Sequence, residues 1–464
     1  MNGAITLKGF FMNIIFILLD DLGWNDVGVH NKNIKTPNIC NLANHSCELK
    51  RNYTFSVCGP TRAMVQTGIY AYKYGMQRLI PAYGYFGLDK NLKIIPQYLK
   101  EIGYKNYAIG KWHLGHNNKK WQPHQRGYDY HYGNLTGCIN HYNHKNCETN
   151  IHDLSENAKP IYEQGHACDL ITNKALDVIE KNKENKFFIY LAFNSPHLPH
   201  QVEQKYKDIY PNETEQKKAY YGMISHVDYN LGLIFQKLKD LNIYDDTLIW
   251  LQSDNGGWIP DWACGDNYPL KNGKASFYDG GIRVFSLIKH KEIKIKSFEG
   301  FSHSVDILPT LLDFAEYKKQ LDNIDGITIK KDLINNTQIK RNIILNFYNE
   351  NMWSFISGNF KIINQNNVIE IYDLINDQQE KNNLFKNKYE EFKEEIDNFI
   401  KNCKSNHVKD LILYLPEKEA KKKCENIKYW GQQVKGWIKI QNVSENKNCD
   451  SFLKMSGYDI FYDN

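Results

Sequence analysis

The sequence contains no apolar run long enough to cross a membrane as a helix. The apolar run near its start, from Phe10 to Leu19, is much shorter than the roughly 20 residues that a membrane-spanning helix needs. Lys8 precedes this run, but no small-residue cleavage site follows it, and Asp20 and Asp21 come directly after. We therefore interpret the run as a first buried strand, and the chain as given has no recognisable export leader.

The sequence also has little excess charge, no internal repeat and no low-complexity linker. Lysine and arginine together exceed aspartate and glutamate by only 5 in 464 residues, and no nucleic-acid-binding motif accompanies them. We therefore expect no nucleic-acid partner. A hydrophobic fraction of 42% is ordinary for a globular protein, and the length allows two domains.

Cysteines and glycosylation acceptors indicate the secretory pathway. Cys138 and Cys147, two of the 10 cysteines, flank a short polar loop at a spacing that suits a local disulfide. Acceptors of the Asn-X-Ser/Thr type lie at Asn44, Asn52, Asn134, Asn212, Asn335 and Asn442. We therefore expect a lysosomal or secreted protein whose leader is missing from this sequence.

Apolar runs that alternate with helical patterns predict an α/β fold with parallel strands. The clearest strand-like runs are Asn13 to Leu19, Tyr107 to Ile109, Phe187 to Phe193 and Thr247 to Leu251. A long helix is predicted where apolar residues recur every three or four positions between Met223 and Leu241. A shorter helix is predicted before Gly103, which suits a helix C-terminus.

The pattern changes after about residue 340. Short strand-like runs (Asn342 to Phe347, Asn359 to Ile363 and Val368 to Tyr372) precede a charged helix from Lys386 to Ile400. We therefore predict a catalytic domain over residues 1–340 and a smaller α+β domain with antiparallel strands over residues 341–464.

One short motif places a reactive side chain at a predicted helix start. Cys58 is followed by Gly59, Pro60, Thr61 and Arg62, and then by a Thr-Gly pair at residues 67–68. Because proline suits the first helical position, the free N–H groups of the first turn should point toward Cys58 and favour an anion there. Taken alone, a free cysteine is as often a buried structural residue as a reactive one.

Polar residues follow each predicted strand, and parallel strands bring such residues to one crevice. They are Asp20 and Asp21, Lys111 and His113, His197, and Asp254 and Asn255. Three carboxylates and one amide oxygen make a hard-oxygen site suited to Ca²⁺ or Mg²⁺ rather than to zinc.

These strings, in this order, resemble the sulfatase family. In that family the cysteine of a Cys-x-Pro-Ser-Arg motif is oxidised by a formylglycine-generating enzyme, and the formylglycine aldehyde becomes the nucleophile; Thr61 replaces the serine here. Gly110 to Gly115 matches the family's Gly-Lys-Trp-His-Leu-Gly string. The resemblance implies an alkaline-phosphatase-like fold, a large mixed sheet flanked by helices, and a sulfated carbohydrate substrate.

The resemblance also implies a role for each site residue. The implied ligands of a divalent cation, usually calcium, are Asp20, Asp21, Asp254 and Asn255 with the oxygen of the residue derived from Cys58. The implied catalytic residues are Cys58, Arg62 beside the nucleophile, Lys111, His113 and Lys274 on the sulfate, and His197 as the acid for the leaving group. Lys271 and His200 are the alternatives to Lys274 and His197.

Several further strings resemble the arylsulfatase B subgroup, the N-acetylgalactosamine-4-sulfatases, among them Gly75-Met76-Gln77 and Arg126 to Asp129. The loop between Ile80 and Leu88 departs from that subgroup because it lacks a pair of cysteines. The resemblance implies a substrate with sulfated N-acetylgalactosamine. The competing interpretations are a phosphodiesterase or phosphonate hydrolase of the same superfamily, and a glycan-binding pseudoenzyme with unmodified Cys58.

Overall fold

The computed structural model describes residues 12–82, 87–116, 118–321, 323–338 and 341–406, with the backbone of Ile412–Leu413 and Lys439–Ile440. Its main element is a ten-stranded mixed sheet in the order β10-β2-β9-β8-β1-β7-β3-β4-β5-β6. The strands are β1 (Asn13–Asp20), β2 (Cys47–Tyr53), β3 (Lys105–Gly110), β4 (Tyr130–Gly133), β5 (Ser155–Glu156), β6 (Lys159–Pro160), β7 (Phe187–Pro196), β8 (Thr247–Ser253), β9 (Ser286–Lys289) and β10 (Ser297–His303). The four strands expected from the sequence are the adjacent parallel strands β8, β1, β7 and β3.

Helices cover both faces of this sheet. They are α1 (Pro37–Asn44), α2 (Cys58–Thr67), α3 (Ile95–Lys100), α4 (Ala167–Lys181), α5 (Gln204–Lys207), α6 (Glu215–Asp240), α7 (Asp279–Ile282), α8 (Ile307–Phe314), α9 (Lys330–Asn335) and α10 (Phe385–Asn406). The predicted long helix is α6, and the predicted helix before Gly103 is α3. None of the helices in the described ranges is long and apolar enough to span a bilayer.

Strand β1 contributes side chains to two hydrophobic cores, one on each face of the sheet. All eight of its residues are buried, and successive side chains of a strand point to opposite faces. Ile14, Phe16 and Leu18 pack with α2, α3 and α8, whereas Ile15, Ile17 and Leu19 pack with α1, α4 and α6. A strand covered on both faces reads as a continuous apolar run, which is the pattern that the sequence showed.

A second, antiparallel sheet lies near the C-terminus. It contains β11 (Ile343–Asn349), β12 (Met352–Ser357), β13 (Phe360–Gln365) and β14 (Val368–Asp373) in sequence order. The sequence analysis predicted three of these strands and missed β12. The four central residues of β12 are all buried, so the strand lacks the polar and apolar alternation that marks a half-exposed strand.

The small sheet packs on the large one. Phe347, Trp353 and Phe355 belong to the same buried cluster as Phe16 of β1, and α10 adds Phe392 to that cluster. The division at residue 340 therefore stays a prediction, and most of the chain after residue 406 lies outside the described residues.

The structure changes two expectations about the secretory features. Cys138 and Cys147 are free thiols and not a disulfide, and the Cys138 thiol donates to the carbonyl of Leu198 at 3.2 Å. Asn52 and Asn134 are buried, so folded protein cannot present them for glycosylation. The acceptors Asn44, Asn212 and Asn335 are exposed, and Asn442 lies outside the described residues.

Candidate active site

The ends of β1 and β8 bring the acidic residues together. These strands run parallel with Leu19 beside Ser253, so Asp20 and Asp254 leave the sheet side by side. The backbone N–H of Asp254 donates to the carbonyl of Leu19 at 3.0 Å and fixes this register. Asp21 has a left-handed backbone, with φ of 64°, and its Oδ1 accepts a hydrogen bond from Nδ2 of Asn255 at 2.8 Å.

Two oxygens of this cluster fit the role of cation ligands. Oδ1 of Asp20 and Oδ1 of Asn255 are buried, and neither accepts a hydrogen bond from a described residue. Ligand atoms of Asp20, Asp254 and Cys58 lie within 4.8 Å of one another. A buried oxygen without a hydrogen-bond partner is costly, and the cationic Nη2 of Arg62 lies 3.6 Å from Oδ1 of Asp20. Because the ligand atoms are mainly oxygens, these residues fit a hard divalent cation such as Ca²⁺.

Three cationic side chains pair with the three carboxylates. Nζ of Lys111 lies 2.5 Å from Oδ2 of Asp20. Nζ of Lys274 lies 2.6 Å from Oδ1 of Asp21. The guanidinium group of Arg62 binds Oδ2 of Asp254 through Nη2 at 2.6 Å and Nε at 3.0 Å.

These charges determine how the carboxylates titrate. Burial alone would raise the pKa of Asp20, but the charges of Lys111, His197 and Arg62 outweigh burial and hold that pKa below its usual range. Burial is outweighed at Asp21 as well, where Lys274 lowers the pKa. Burial and the neighbouring charge of Asp20 raise the pKa of Asp254 despite its contact with Arg62.

Helix α2 presents Cys58 to this cluster. The helix begins at Cys58 itself, with Val57 as its N-cap. Pro60 is therefore the third helical residue, whereas the sequence analysis expected it at the first helical position. The first helical N–H groups have no partner within the helix, so a proline that lacks this group is tolerated throughout the first turn. Cys58 therefore belongs to the positive end of the helix.

His113 contacts the Cys58 thiol. Its Nδ1 lies 3.3 Å from Sγ of Cys58, and its Nε2 lies 3.0 Å from the carbonyl oxygen of Ile80. Since a carbonyl only accepts, Nε2 carries the proton and Nδ1 is the acceptor that faces the thiol. Burial and the charges of Lys111 and Arg62 hold the pKa of His113 well below its usual value, so the ring is neutral.

Glycine at position 110 lets strand β3 deliver Lys111 to the site. The φ angle of Gly110 is 104°, and a Cβ atom there would lie 1.9 Å from the carbonyl oxygen of Ala192. Only glycine permits this close approach. The next residue, Lys111, donates its backbone N–H to the same carbonyl at 2.8 Å, which directs its side chain toward Asp20.

His197 follows β7 directly and faces the cluster with one nitrogen. Its Nδ1 donates to the carbonyl of Leu198 at 2.7 Å, and its Nε2 lies 3.6 Å from Oδ2 of Asp21. Burial lowers the pKa of His197, and the nearby aspartates only partly oppose that effect. The alternative, His200, packs against the ring of Tyr220, with the ring centroids 5.0 Å apart, and lines a small cavity together with Asp21 and His197.

The two candidate lysines have different surroundings. Lys274 is buried against Asp21 within the cluster. Lys271 instead donates to the hydroxyl of Tyr372 and to the carbonyl of Glu380, both from the C-terminal part of the chain. All ten predicted site residues thus converge on one buried cluster, and Lys271 lies outside it.

The sequence analysis missed part of the wall beside the cluster. Trp258, Tyr220 and Ala263 line a small cavity together with Asp21 and His197. Trp258 directly follows the Asp-Asn-Gly-Gly string, which is the signal that could have identified it. Nothing in the sequence pattern separates Tyr220 from the other aromatic residues of α6.

Comparisons with known proteins agree with this geometry. The sulfatase family profile matches residues 12–317. Mouse (Mus musculus) arylsulfatase J is 32% identical over 329 residues, which cover 68% of this chain and 55% of that protein. Human (Homo sapiens) N-acetylgalactosamine-6-sulfatase is 27% identical over 296 residues, which cover 58% of this chain and 55% of that protein.

The solved structure of Ps i-CgsB in complex with k-i-k-neocarrahexaose is similar over 98% of this chain and 100% of that chain, with a TM-score of 0.77 and 28% identity. This likeness confirms the predicted alkaline-phosphatase-like architecture.

The matches to arylsulfatase J and to the human enzyme each span only about half of the relative's own length. The family match itself covers well over half of this chain and contains every residue of the cluster, and the chain therefore belongs to the sulfatase family.

Proposed function

We propose that this chain is a sulfuric ester hydrolase that acts on sulfated carbohydrates, with sulfated N-acetylgalactosamine of glycosaminoglycans as its substrate. The observation that supports this proposal is the position of Cys58. Its thiol lies at the positive end of α2, within 4.8 Å of ligand atoms of Asp20 and Asp254. Such a site suits a nucleophile that must attack an anionic ester.

Two groups complete the proposed site. Oxidation of Cys58 by a formylglycine-generating enzyme would supply a hydrated aldehyde, with one hydroxyl to attack sulfur and a second to expel sulfate. A Ca²⁺ ion held by Asp20, Asp21, Asp254 and Asn255 would supply Lewis-acid stabilisation of negative charge.

The cationic side chains hold the sulfate group in this proposal. An ammonium has three N–H donors, so Lys111 and Lys274 keep donors for sulfuryl oxygens while each pairs with an aspartate. Arg62 is fixed by two hydrogen bonds to Asp254, so its charge is held in place before the substrate arrives.

His197 acts as the acid for the leaving group in this proposal. Its Nδ1 proton is engaged by the carbonyl of Leu198, so a proton for the departing alcohol must come from Nε2. Burial lowers the pKa of His197, and the negative charge of Asp21, which that nitrogen faces, partly opposes this effect. Since a sugar alkoxide is a poor leaving group, its protonation lowers the barrier.

The choice of carbohydrate rests on the relatives. Human and mouse relatives carry the name N-acetylgalactosamine-6-sulfatase, and the similar structure of Ps i-CgsB holds a neocarrahexaose. The exposed acceptors Asn44, Asn212 and Asn335 support a lysosomal or secreted location.

The proposal is tested first at Cys58. Mass spectrometry should detect an aldehyde in the Cys58 peptide of protein made in its native compartment. Cys58→Ala should fold and lose sulfate-ester hydrolysis, whereas Cys47→Ala, which removes a buried thiol of β2, should keep it. Substantial hydrolysis by Cys58→Ala would contradict the mechanism.

The reaction class is tested with matched sulfate and phosphate esters of the same sugars. If sulfate alone is released, the result supports the proposal. Preferred release of phosphate would favour the phosphodiesterase alternative. Specific binding of sulfated glycan by protein with unmodified Cys58, without hydrolysis, would favour the pseudoenzyme. Comparison of 4-sulfated and 6-sulfated N-acetylgalactosamine oligosaccharides then identifies the sulfate position.

A further inference from the structure

We propose that the exposed indole of Trp262, which contacts Trp258 edge to face, is a stacking platform for the sugar ring next to the sulfated residue of the substrate. Both side chains belong to a segment that we call the tryptophan loop, residues 256–267. The inference deepens the proposed function and rests on it, because it assigns a second sugar-binding position beside the same site.

The tryptophan loop borders the catalytic cluster. Trp258 and Ala263 line the cavity that also contains Asp21 and His197. Nζ of Lys274 lies 5.2 Å from the ring centroid of Trp258, so the indole ring also contacts the proposed sulfate-binding lysine. A substrate whose sulfate lies near Lys274 therefore lies beside this ring.

Trp262 continues the aromatic surface outward. Its ring centroid lies 4.9 Å from that of Trp258 with the planes at 64°, so the two rings contact edge to face. The side chain of Trp262 is 45% exposed, and the nearby Ile259 is 43% exposed. Large apolar side chains that remain exposed together beside a site are typical of a ligand-binding surface.

Hydrogen bonds fix the base of the tryptophan loop. The N–H of Gly265 donates to the carbonyl of Trp258 at 2.8 Å, and the N–H of Cys264 donates to the carbonyl of Pro260 at 3.0 Å. Asn267 accepts from the N–H of Gly257 at 2.9 Å and donates to its carbonyl at the same distance. A surface that is ordered before binding loses less entropy when a ligand is bound.

A sugar ring is the occupant that this surface fits. One face of a pyranose presents mainly C–H groups, which pack on an indole face, while its hydroxyl groups remain in water. The surface is continuous with the cluster that takes the sulfate, so the ring bound there is the neighbour of the sulfated residue in an oligosaccharide. We therefore expect Trp262 to contact the second sugar of an oligosaccharide and not a monosaccharide sulfate.

The test compares Trp262→Ala with the wild type on two substrates: a tetrasaccharide with a terminal sulfated N-acetylgalactosamine, and the matching monosaccharide sulfate. We expect kcat/KM on the tetrasaccharide to fall on the order of tenfold, mainly through KM, with little change on the monosaccharide. Trp262→Phe should recover much of the loss. Tyr229→Ala, which removes another exposed aromatic residue nine positions beyond Tyr220 on α6, is the control and should change neither value.

A binding measurement separates failure of the platform from failure of the proposed function. Saturation-transfer NMR of the tetrasaccharide with Cys58→Ala should show contacts to the second sugar, which disappear when Trp262→Ala is added. If the wild type does not hydrolyse the tetrasaccharide, this measurement still reports on the platform. The inference would be overturned if Trp262→Ala lost equal activity on both substrates, kept the contacts to the second sugar, or changed its oligomeric state. Absence of tetrasaccharide binding by Cys58→Ala would overturn it as well.

Discussion

Nζ of Lys361, on β13 of the small sheet, lies 2.6 Å from Oδ1 of Asp279, at the start of α7 beside the large sheet. Lys361 also pairs with Glu380, and both of its partners are buried with it. Asp279 in turn accepts from the hydroxyl of Tyr53 on β2 at 3.2 Å. A buried charge network therefore connects the two sheets, and its removal is expected to affect stability.

Lys361→Met should destabilise the protein by about 3–5 kcal/mol, because buried Asp279 and Glu380 both lose the ammonium that pairs with them. The contact of Asp279 with Nη1 of Arg283, at 3.4 Å, remains. The midpoint of chemical unfolding measures this change. Lys181→Met, which breaks an exposed pair with Asp177, is the control and should shift the midpoint little. An equally small shift in Lys361→Met would contradict the inferred importance of the network.

His197→Ala should lower kcat on a sulfated sugar by about 10²–10⁴ and on nitrophenyl sulfate by much less. A nitrophenolate leaves without protonation, whereas a sugar alkoxide does not. Steady-state kinetics on both substrates measure the difference. His200→Ala removes the alternative histidine of the same cavity and should show no such difference between the two substrates. Equal losses on both substrates would mean that His197 binds the sulfuryl group instead.

Chelation should lower both the activity and the melting temperature of the wild type, and added Ca²⁺ should restore both. The apoprotein should remain folded, because Lys111, Lys274 and Arg62 balance the three carboxylates. Asn255→Ala removes a neutral ligand without unbalancing these charges, so its melting temperature should depend less on chelator. A wild type that contains no divalent ion and ignores prolonged chelation would contradict the metal assignment.

Asp26→Asn should remove a pH dependence of stability. Burial raises the pKa of Asp26 to about 7, although its Oδ2 accepts hydrogen bonds from Tyr220 and two backbone N–H groups. The folded wild type therefore binds this proton more tightly than the unfolded chain does. Its stabilising effect is fully present below about pH 4 and is lost as the pH rises to about 7.

The stability of the wild type relative to Asp26→Asn should thus fall over that range, by roughly 1.4 kcal/mol for each unit of pKa difference. Unfolding midpoints of both proteins at pH 4.5 and at pH 8 measure the effect. The amide can keep the hydrogen bonds of Oδ2, because Oδ1 of Asp26 accepts none from a described residue. Parallel pH profiles of the two proteins would refute the assignment.

Much of the site could be predicted from sequence because parallel strands impose a simple rule. Residues that follow β1, β3, β7 and β8 must meet at the carboxyl edge of the sheet, so the order of residues along the chain is enough to group Asp20, Lys111, His197 and Asp254. The choice between Lys271 and Lys274 was harder, because both lie in one loop. They are separated by their contacts, because Lys274 pairs with Asp21 whereas Lys271 donates to Tyr372 and Glu380.

Other features depend on contacts between residues far apart in the chain. Asn52 and Asn134 are buried by surrounding elements, and a local acceptor motif contains no information about those elements. Strand β12 is covered on both faces, so its sequence shows no alternation. Helix α2 begins at Cys58, two residues before the proline that the sequence analysis expected at its first position.

The sequence by itself determined the α/β class, the central strands and the motifs of the cluster, because strand periodicity and strand-end chemistry are local properties of the chain. Only the tertiary structure decided which carboxylate each cation pairs with, which nitrogen of His113 faces Cys58, and that Trp262 lies exposed beside the site. Those outcomes depend on distances between segments that lie far apart in the chain, such as Arg62 and Asp254 or Lys274 and Asp21. A local sequence pattern carries no information about such distances.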